Sequence, residues 1–126
     1  MNQNNKEFFI EALNIARNGM RAGELPIGSV VCLGERIVGS SYTRTNKTGS
    51  PVSHAEIAAL EAIKFSSLGG GDPIRIFSTL EPCLMCFGAA LNCNVSEIHY
   101  LLSAPGDGCK NFVSAFATER DSIEGM

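Results

Sequence analysis

The chain has 126 residues, which suits a single core, so residues 1–126 are expected to form one domain. No apolar run reaches the roughly 18 residues that a membrane span needs, and the first residues lack a secretory pattern, so neither membrane insertion nor export is expected. The net charge is −3 and the ten Lys and Arg residues are scattered, which argues against an extended surface for binding phosphates.

The first half of the chain predicts a helix followed by a hairpin. Apolar residues at helical spacing predict an amphipathic helix over residues 8–20. Two β-rich runs, Gly28–Leu33 and Arg36–Tyr42, flank a Gly-Glu pair and predict antiparallel strands joined by a tight turn. The polar residues 43–52 predict a loop that ends where a new helix begins, near His54.

The second half alternates helices and strands. After a helix over residues 54–65, the pattern predicts a strand over 74–79, a helix over 83–92 and a strand over Glu97–Leu102. From about residue 103 the chain is weakly patterned, with a short helix predicted around residues 115–117. This order predicts an α/β fold, a single-domain three-layer α/β/α sandwich whose central mixed sheet is covered by helices on both faces.

The cysteines indicate a reducing compartment and a candidate metal site. Five cysteines, an odd number without a secretory context, favour free thiols and a cytoplasmic location. The spacing of Cys83 and Cys86 lets two thiolates face one tetrahedral ion from the first turn of a helix. The same pair is also compatible with a thioredoxin-like redox site or with two small buried core residues.

A histidine at another predicted helix start favours the metal interpretation. His54 would complete a His-Cys-Cys set and leave the fourth position of a zinc ion open, which is typical of catalytic zinc. Glu56 follows two residues later. It fits a capping box with Ser53, and beside a metal it also fits a carboxylate that takes a proton from attacking water and passes it to a leaving amine. With the metal set present, we favour the catalytic role.

These motifs together resemble a known family. His54-Ala55-Glu56 and Pro82-Cys83-Leu84-Met85-Cys86 are similar to the His-x-Glu and Pro-Cys-x-x-Cys elements of zinc deaminases. With residues 24–31, they resemble the cytidine and deoxycytidylate deaminase superfamily, especially its tRNA adenosine deaminase branch, over most of the chain. The resemblance implies a cytidine-deaminase-like fold, Zn²⁺ on His54, Cys83 and Cys86, and Glu56 as the proton shuttle. It also implies a base contacted by the Ala55 amide and by Ile27, and a homodimer packed through the helix over 83–92.

Two departures from the family pattern concern the substrate. Thr43 stands eleven residues before the metal histidine, where relatives commonly carry an Asn whose amide orients the base. Thr lacks the paired donor and acceptor of an amide, so base recognition must differ or come from another residue such as Asn46. The last residues are acidic where tRNA-acting relatives carry a basic, aromatic helix, and a polyanion is not expected to bind there.

The sequence therefore predicts a zinc-dependent hydrolytic deaminase that releases ammonia from an amino-substituted nucleobase. The expected partner is a small-molecule nucleobase or nucleoside, or tRNA. No binding to a membrane is expected. This interpretation rests on His54, Cys83 and Cys86, which together form a set of zinc ligands. The alternative from another class is a non-catalytic zinc-stabilised binding or scaffold domain, in which Glu56 and an open coordination position would have no purpose.

Overall fold

The computed structural model of the chain describes residues 3–110, so the helix predicted around residues 115–117 lies outside the described part. No helix within residues 3–110 is long and apolar enough to cross a membrane. The helices and strands, in chain order, are α1 (Gln3–Arg21), β1 (Gly28–Leu33), β2 (Arg36–Tyr42), α2 (Thr45–Thr48), α3 (Ala55–Glu61), β3 (Ile74–Leu80), α4 (Leu84–Asn92) and β4 (Glu97–Leu102).

The four described strands form one mixed sheet in the order β2-β1-β3-β4. The central strand β1 pairs antiparallel with both β2 and β3, and its register places Ser29 opposite Ser78. The last pair, β3 and β4, is parallel, because α4 carries the chain back across the sheet between them. The predicted hairpin and the predicted mixed sheet are both confirmed.

Helices cover both faces of this sheet, each over its own apolar cluster. One cluster packs α1 on the sheet and contains Phe8, Phe9, Ala12, Val30, Cys32 and Phe77. The opposite cluster packs α3 and α4 on the sheet and contains Val31, Ala59, Leu60, Ile63, Ile76 and Ala90. Successive strand residues contribute to opposite clusters because side chains alternate across a strand. The three-layer α/β/α sandwich predicted from the sequence is confirmed.

Some element bounds differ from those predicted, for identifiable reasons. Helix α1 begins at Gln3, five residues earlier than predicted, because its polar first turn carries no apolar signal. Helix α3 ends at Glu61, where the Ile63 amide bonds the Leu60 carbonyl and tightens the last turn. Residues 62–64, predicted as part of this helix, are not helical, and a short 3₁₀ turn, Phe65–Ser67, follows them.

Helix α2 lies inside the predicted loop 43–52. Its first amides, those of Asn46 and Lys47, donate to the two carboxylate oxygens of Glu24 at 2.9 and 2.7 Å. Glu24 is buried and 22 residues away from Asn46 along the chain. A four-residue helix capped by so distant a side chain leaves no local signal, which explains why the sequence predicted a loop.

Candidate active site

Two helix starts on the same side of the sheet bring the predicted metal ligands together. His54 precedes α3 and Cys83 precedes α4, both with extended backbones, and neither side chain makes a capping hydrogen bond. Both side chains are therefore available to a ligand. Cys86 lies in the first turn of α4 and is buried, whereas His54 and Cys83 are half-buried.

The distances within this set fit a zinc ion. The Cys83 Sγ and Cys86 Sγ atoms are 3.7 Å apart, and His54 Nδ1 lies 3.5 Å from the first sulfur and 3.6 Å from the second. With Zn–S near 2.3 Å and Zn–N near 2.0–2.1 Å, a tetrahedral ion separates two sulfurs by roughly 3.8 Å and sulfur from nitrogen by roughly 3.6 Å. All three distances match, so His54, Cys83 and Cys86 can hold zinc without rearrangement.

The electrostatics of the set also call for a cation. Burial raises the pKa of the Cys86 thiol well above its ordinary range, and the neighbouring Glu56 carboxylate and Cys83 raise it further. A thiolate at this position is therefore unfavourable unless a positive charge lies beside it. A divalent ion supplies that charge and stabilises the anionic sulfurs.

Glu56 is buried beside the metal ligands, with 4% of its surface exposed. The capping-box alternative for this residue is wrong, because His54 rather than Ser53 precedes the first helical residue. The Ser53 amide donates to the Ser50 carbonyl, and the Ser53 hydroxyl accepts from Thr48. The Glu56 carboxylate instead accepts a hydrogen bond of 2.5 Å from the buried Ser78 hydroxyl. We call His54, Glu56, Cys83 and Cys86 the reaction cluster.

A cleft of about 290 Å³ opens onto the reaction cluster. Three predicted substrate contacts line it: Ile27, Thr43 and Ala55. The other lining residues were not predicted to contact the substrate: Leu25, Thr45, Leu80, Glu81, Pro82, Ala104 and Asp107. The cleft is at the lower end of the volumes usual for small-molecule sites, and it suits one base better than a larger ligand.

Thr43 lies in the cleft, but Asn46 does not replace its missing amide. Thr43 is buried, and its hydroxyl makes a long contact of 3.4 Å with the Ser53 carbonyl, which leaves it free to turn towards a ligand. The Asn46 side-chain amide donates to the Gly23 carbonyl at 2.8 Å. Among the described residues that line the cleft there is no Asn or Gln. The Asn46 suggestion is therefore wrong.

One wall of the cleft is tied down by Glu81. This wall segment, residues 104–110, contributes Ala104 and Asp107 to the cleft. The buried Glu81 carboxylate accepts the amides of Ala104 and Lys110, at 3.1 and 2.9 Å, and so holds both ends of the segment. Gly108 packs so closely on this carboxylate that an added Cβ would lie 2.2 Å from it. The sequence holds no local signal for this contact, because Glu81 and Lys110 are 29 residues apart.

A family model decides where the chain belongs. The model of the cytidine and deoxycytidylate deaminase zinc-binding region matches residues 2–102. The chain belongs to this deaminase family. The match includes every described element through β4, and with it all four residues of the reaction cluster. The zinc cofactor predicted from the sequence agrees with the zinc-binding region that defines the family and with the three ligand atoms brought together here.

Two of the relatives that the chain resembles have names that refer to tRNA. The chain is 36% identical over 101 residues to a tRNA-specific adenosine deaminase of Agrobacterium fabrum, covering 77% of this chain and 64% of that protein. It is 41% identical over 107 residues to a tRNA(Ile)-lysidine synthase of Deinococcus deserti, covering 82% of this chain and 20% of that protein. The chain thus spans less than two thirds of the length of either relative.

Solved structures agree with the deaminase fold. A structure from a study of A-to-I editing by tRNA:A34 deaminases has a TM-score of 0.74 at 30% identity, covering 82% of this chain and 81% of that chain. A guanine deaminase from Bacillus subtilis has a TM-score of 0.70 at 24% identity, covering 82% and 66%, a likeness that shows the fold alone. The resemblance to the tRNA adenosine deaminase branch is confirmed.

Proposed function

We propose that the chain is a zinc-dependent hydrolytic deaminase of an amino-substituted nucleobase. The observation that carries this proposal is that one cleft is lined by Glu56 and by His54 and Cys83, two members of the His54-Cys83-Cys86 set. When bound by these three residues, zinc would polarise water and favour its deprotonation near neutral pH. Membership of the deaminase family supports the assignment.

The residues of the chain supply binding and proton transfer. A base enters the cleft beside Ile27, Thr43 and the Ala55 backbone. Glu56 accepts a proton from the attacking water and delivers it to the departing nitrogen. The water oxygen forms a bond to the ring carbon, the bond from that carbon to nitrogen breaks, and ammonia leaves. Burial of Glu56 strengthens its interaction with the reacting groups, because little water competes with it.

A scaffold role for the zinc site explains less of the geometry. A purely structural site gains nothing from a buried carboxylate that reaches the same cleft as the ligands. A redox pair of Cys83 and Cys86 would have no use for His54 at 3.5 Å. Both alternatives also leave the cleft without an occupant.

For the substrate, we propose a free base or nucleoside that is processed without tRNA. The net charge of −3 and the small cleft, with the Asp107 carboxylate in its wall, favour a compact and uncharged molecule over a polyanion. The tRNA-held adenosine is the second candidate, and the names of the relatives favour it.

A screen for ammonia release tests the proposal. Purified zinc-loaded protein is assayed with cytosine, guanine, adenine, their nucleosides and folded tRNA, with Glu56→Gln as the blank. Release from at least one base or nucleoside, abolished in the blank, supports the small-molecule substrate. Release from tRNA alone would support the deaminase activity and contradict the proposal of a small-molecule substrate. Release from no substrate, with zinc bound, would favour the scaffold alternative.

We further propose a cytoplasmic homodimer. Large apolar side chains are exposed on α4 and at the end of β4, at Leu84, Met85, Leu91 and Leu102. An apolar surface of this kind is typical of a subunit interface. The molecular mass in solution, measured by light scattering, should be twice that of one chain, and Leu91→Asp should reduce it to one.

A further inference from the structure

Two buried serines lie beneath the start of α3, on strands where apolar residues are expected. Ser29 on β1 and Ser78 on β3 both have 0% of their surface exposed. They are opposite each other in the antiparallel register, and they point to the same side of the sheet as Val31 and Ile76. Burying a hydroxyl among apolar groups is costly unless it finds a hydrogen-bond partner, so these serines need an explanation.

Ser78 has its partner in the reaction cluster. Its Oγ donates to Oε1 of Glu56, and both residues are buried. Glu56 has three side-chain torsions, and a carboxylate without a tether would sample several positions in the cleft. A hydrogen bond to one carboxylate oxygen, from a rigid central strand, selects one of these positions.

The Ser29 hydroxyl has no hydrogen-bond partner within residues 3–110. Registered residues on neighbouring antiparallel strands have Cβ atoms about 4.5–5.5 Å apart, so its hydroxyl is a neighbour of the Ser78 hydroxyl. A hydroxyl both donates and accepts. The Ser29 hydroxyl can therefore turn to donate to the Ser78 oxygen, whose own hydrogen bonds Glu56.

We propose that Ser78 is a positioning residue that holds the Glu56 carboxylate in its reactive orientation, with the Ser29 hydroxyl supporting Ser78. This inference rests on the proposed function of Glu56 and adds the residues that make it effective. The contact is carried by the sheet and does not involve the predicted metal ligands, so metal binding and Glu56 orientation should respond to different substitutions.

The kinetic test compares three variants with the wild type, each as the full chain loaded with zinc. Ser78→Ala should lower kcat by about 10- to 100-fold, because the carboxylate is no longer held in place, while KM and zinc content stay within about twofold. Ser78→Thr keeps the hydroxyl and should recover most of kcat. Ser29→Ala should lower kcat by a smaller factor. An unchanged kcat in Ser78→Ala, or equal losses in the Ala and Thr variants of Ser78, would overturn the proposal.

Thr79→Ala is the matched control. Thr79 is also buried on β3, but it points to the other face, where its hydroxyl accepts from the Gly28 amide at 3.1 Å. This substitution removes a hydroxyl hydrogen bond from the same strand without touching Glu56. It should lower the melting temperature and leave kcat within about twofold of the wild type. If Thr79→Ala lowers kcat as much as Ser78→Ala, the effect of Ser78 is only structural.

A spectroscopic readout makes the inference independent of turnover. The infrared band of the Glu56 carboxylate is assigned by its loss in Glu56→Gln and is then measured in Ser78→Ala and Thr79→Ala. The band should shift in Ser78→Ala, because a strong hydrogen bond to Oε1 is lost, and should stay in place in Thr79→Ala. If the band shifts in Ser78→Ala but the wild type releases no ammonia, the contact is confirmed and the proposed function is wrong. An unshifted band in Ser78→Ala would contradict the contact between Ser78 and Glu56.

Discussion

The reaction cluster and the wall segment line the same cleft but are held in different ways. The cluster lies at the starts of α3 and α4, where Glu56 and Cys86 are buried against the sheet. The wall segment has an exposed cleft-lining residue, Asp107, and is held by the Glu81 carboxylate and by a backbone bridge between Gly108 and Cys83. The cluster is thus fixed by the core, whereas this wall of the cleft is a surface segment that can vary without unfolding the domain.

The largest effect should come from breaking the metal set. Cys83→Ser replaces a zinc-binding sulfur by a poor ligand, so zinc content should fall from about one per chain towards zero after dialysis, and turnover by on the order of a thousandfold. Elemental analysis and ammonia release measure the two effects. Cys93→Ser, outside the cluster, is the control and should keep its zinc. Equal zinc in both variants would contradict the assignment of the ligands.

The next largest effect should come from Glu56, and it distinguishes proton transfer from zinc binding within the reaction cluster. Glu56→Gln should keep zinc and fold but lose on the order of a hundredfold or more in kcat, because an amide cannot accept and return a proton. Ser53→Ala is the comparison. Since Ser53 does not cap α3, the free energy of unfolding of this variant should fall by less than about 0.5 kcal/mol. Its activity should equal that of the wild type. A fully active Glu56→Gln protein would remove the proposed mechanism.

The wall segment should respond in binding more than in chemistry. In Gly108→Ala the new Cβ would meet the Glu81 carboxylate, so the segment must move, at a cost of about 1–3 kcal/mol in unfolding free energy. KM should rise by more than kcat falls, and zinc should stay bound. Gly106→Ala, which has open space around its Cβ, should behave as the wild type in melting and kinetic measurements. Loss of zinc in Gly108→Ala would show that wall and cluster are not separate.

The smallest effect concerns base recognition. Thr43→Val keeps the shape of the side chain and removes its hydroxyl, so KM should rise by about three- to tenfold if that hydroxyl bonds the base, with kcat little changed. Thr43→Ser keeps the hydroxyl and should stay near the wild type. If the Val variant keeps its KM for every substrate, the base is recognised by other groups in the cleft.

The sequence by itself determined the layers of the fold and the members of the reaction cluster. Strand alternation and helical spacing are local properties, and they predicted both strands of the hairpin and the order of the later elements. The gap between Cys83 and Cys86 is set by one helical turn, so their shared orientation follows from spacing alone. The partnership of His54 with this pair was inferred from its place at another predicted helix start and then from the family resemblance, and the fold brought the three atoms together.

Only the tertiary structure decided which polar residues support the cluster and the cleft. Ser78 and Glu56 are 22 residues apart, and Glu81 holds Lys110 from 29 residues away, so no local pattern connects either pair. The role of Glu56 could not be separated from helix capping by sequence, because a carboxylate three residues after a serine fits both. It was the strand beneath α3, through the Ser78 hydroxyl, that turned this side chain away from the helix end and into the cleft.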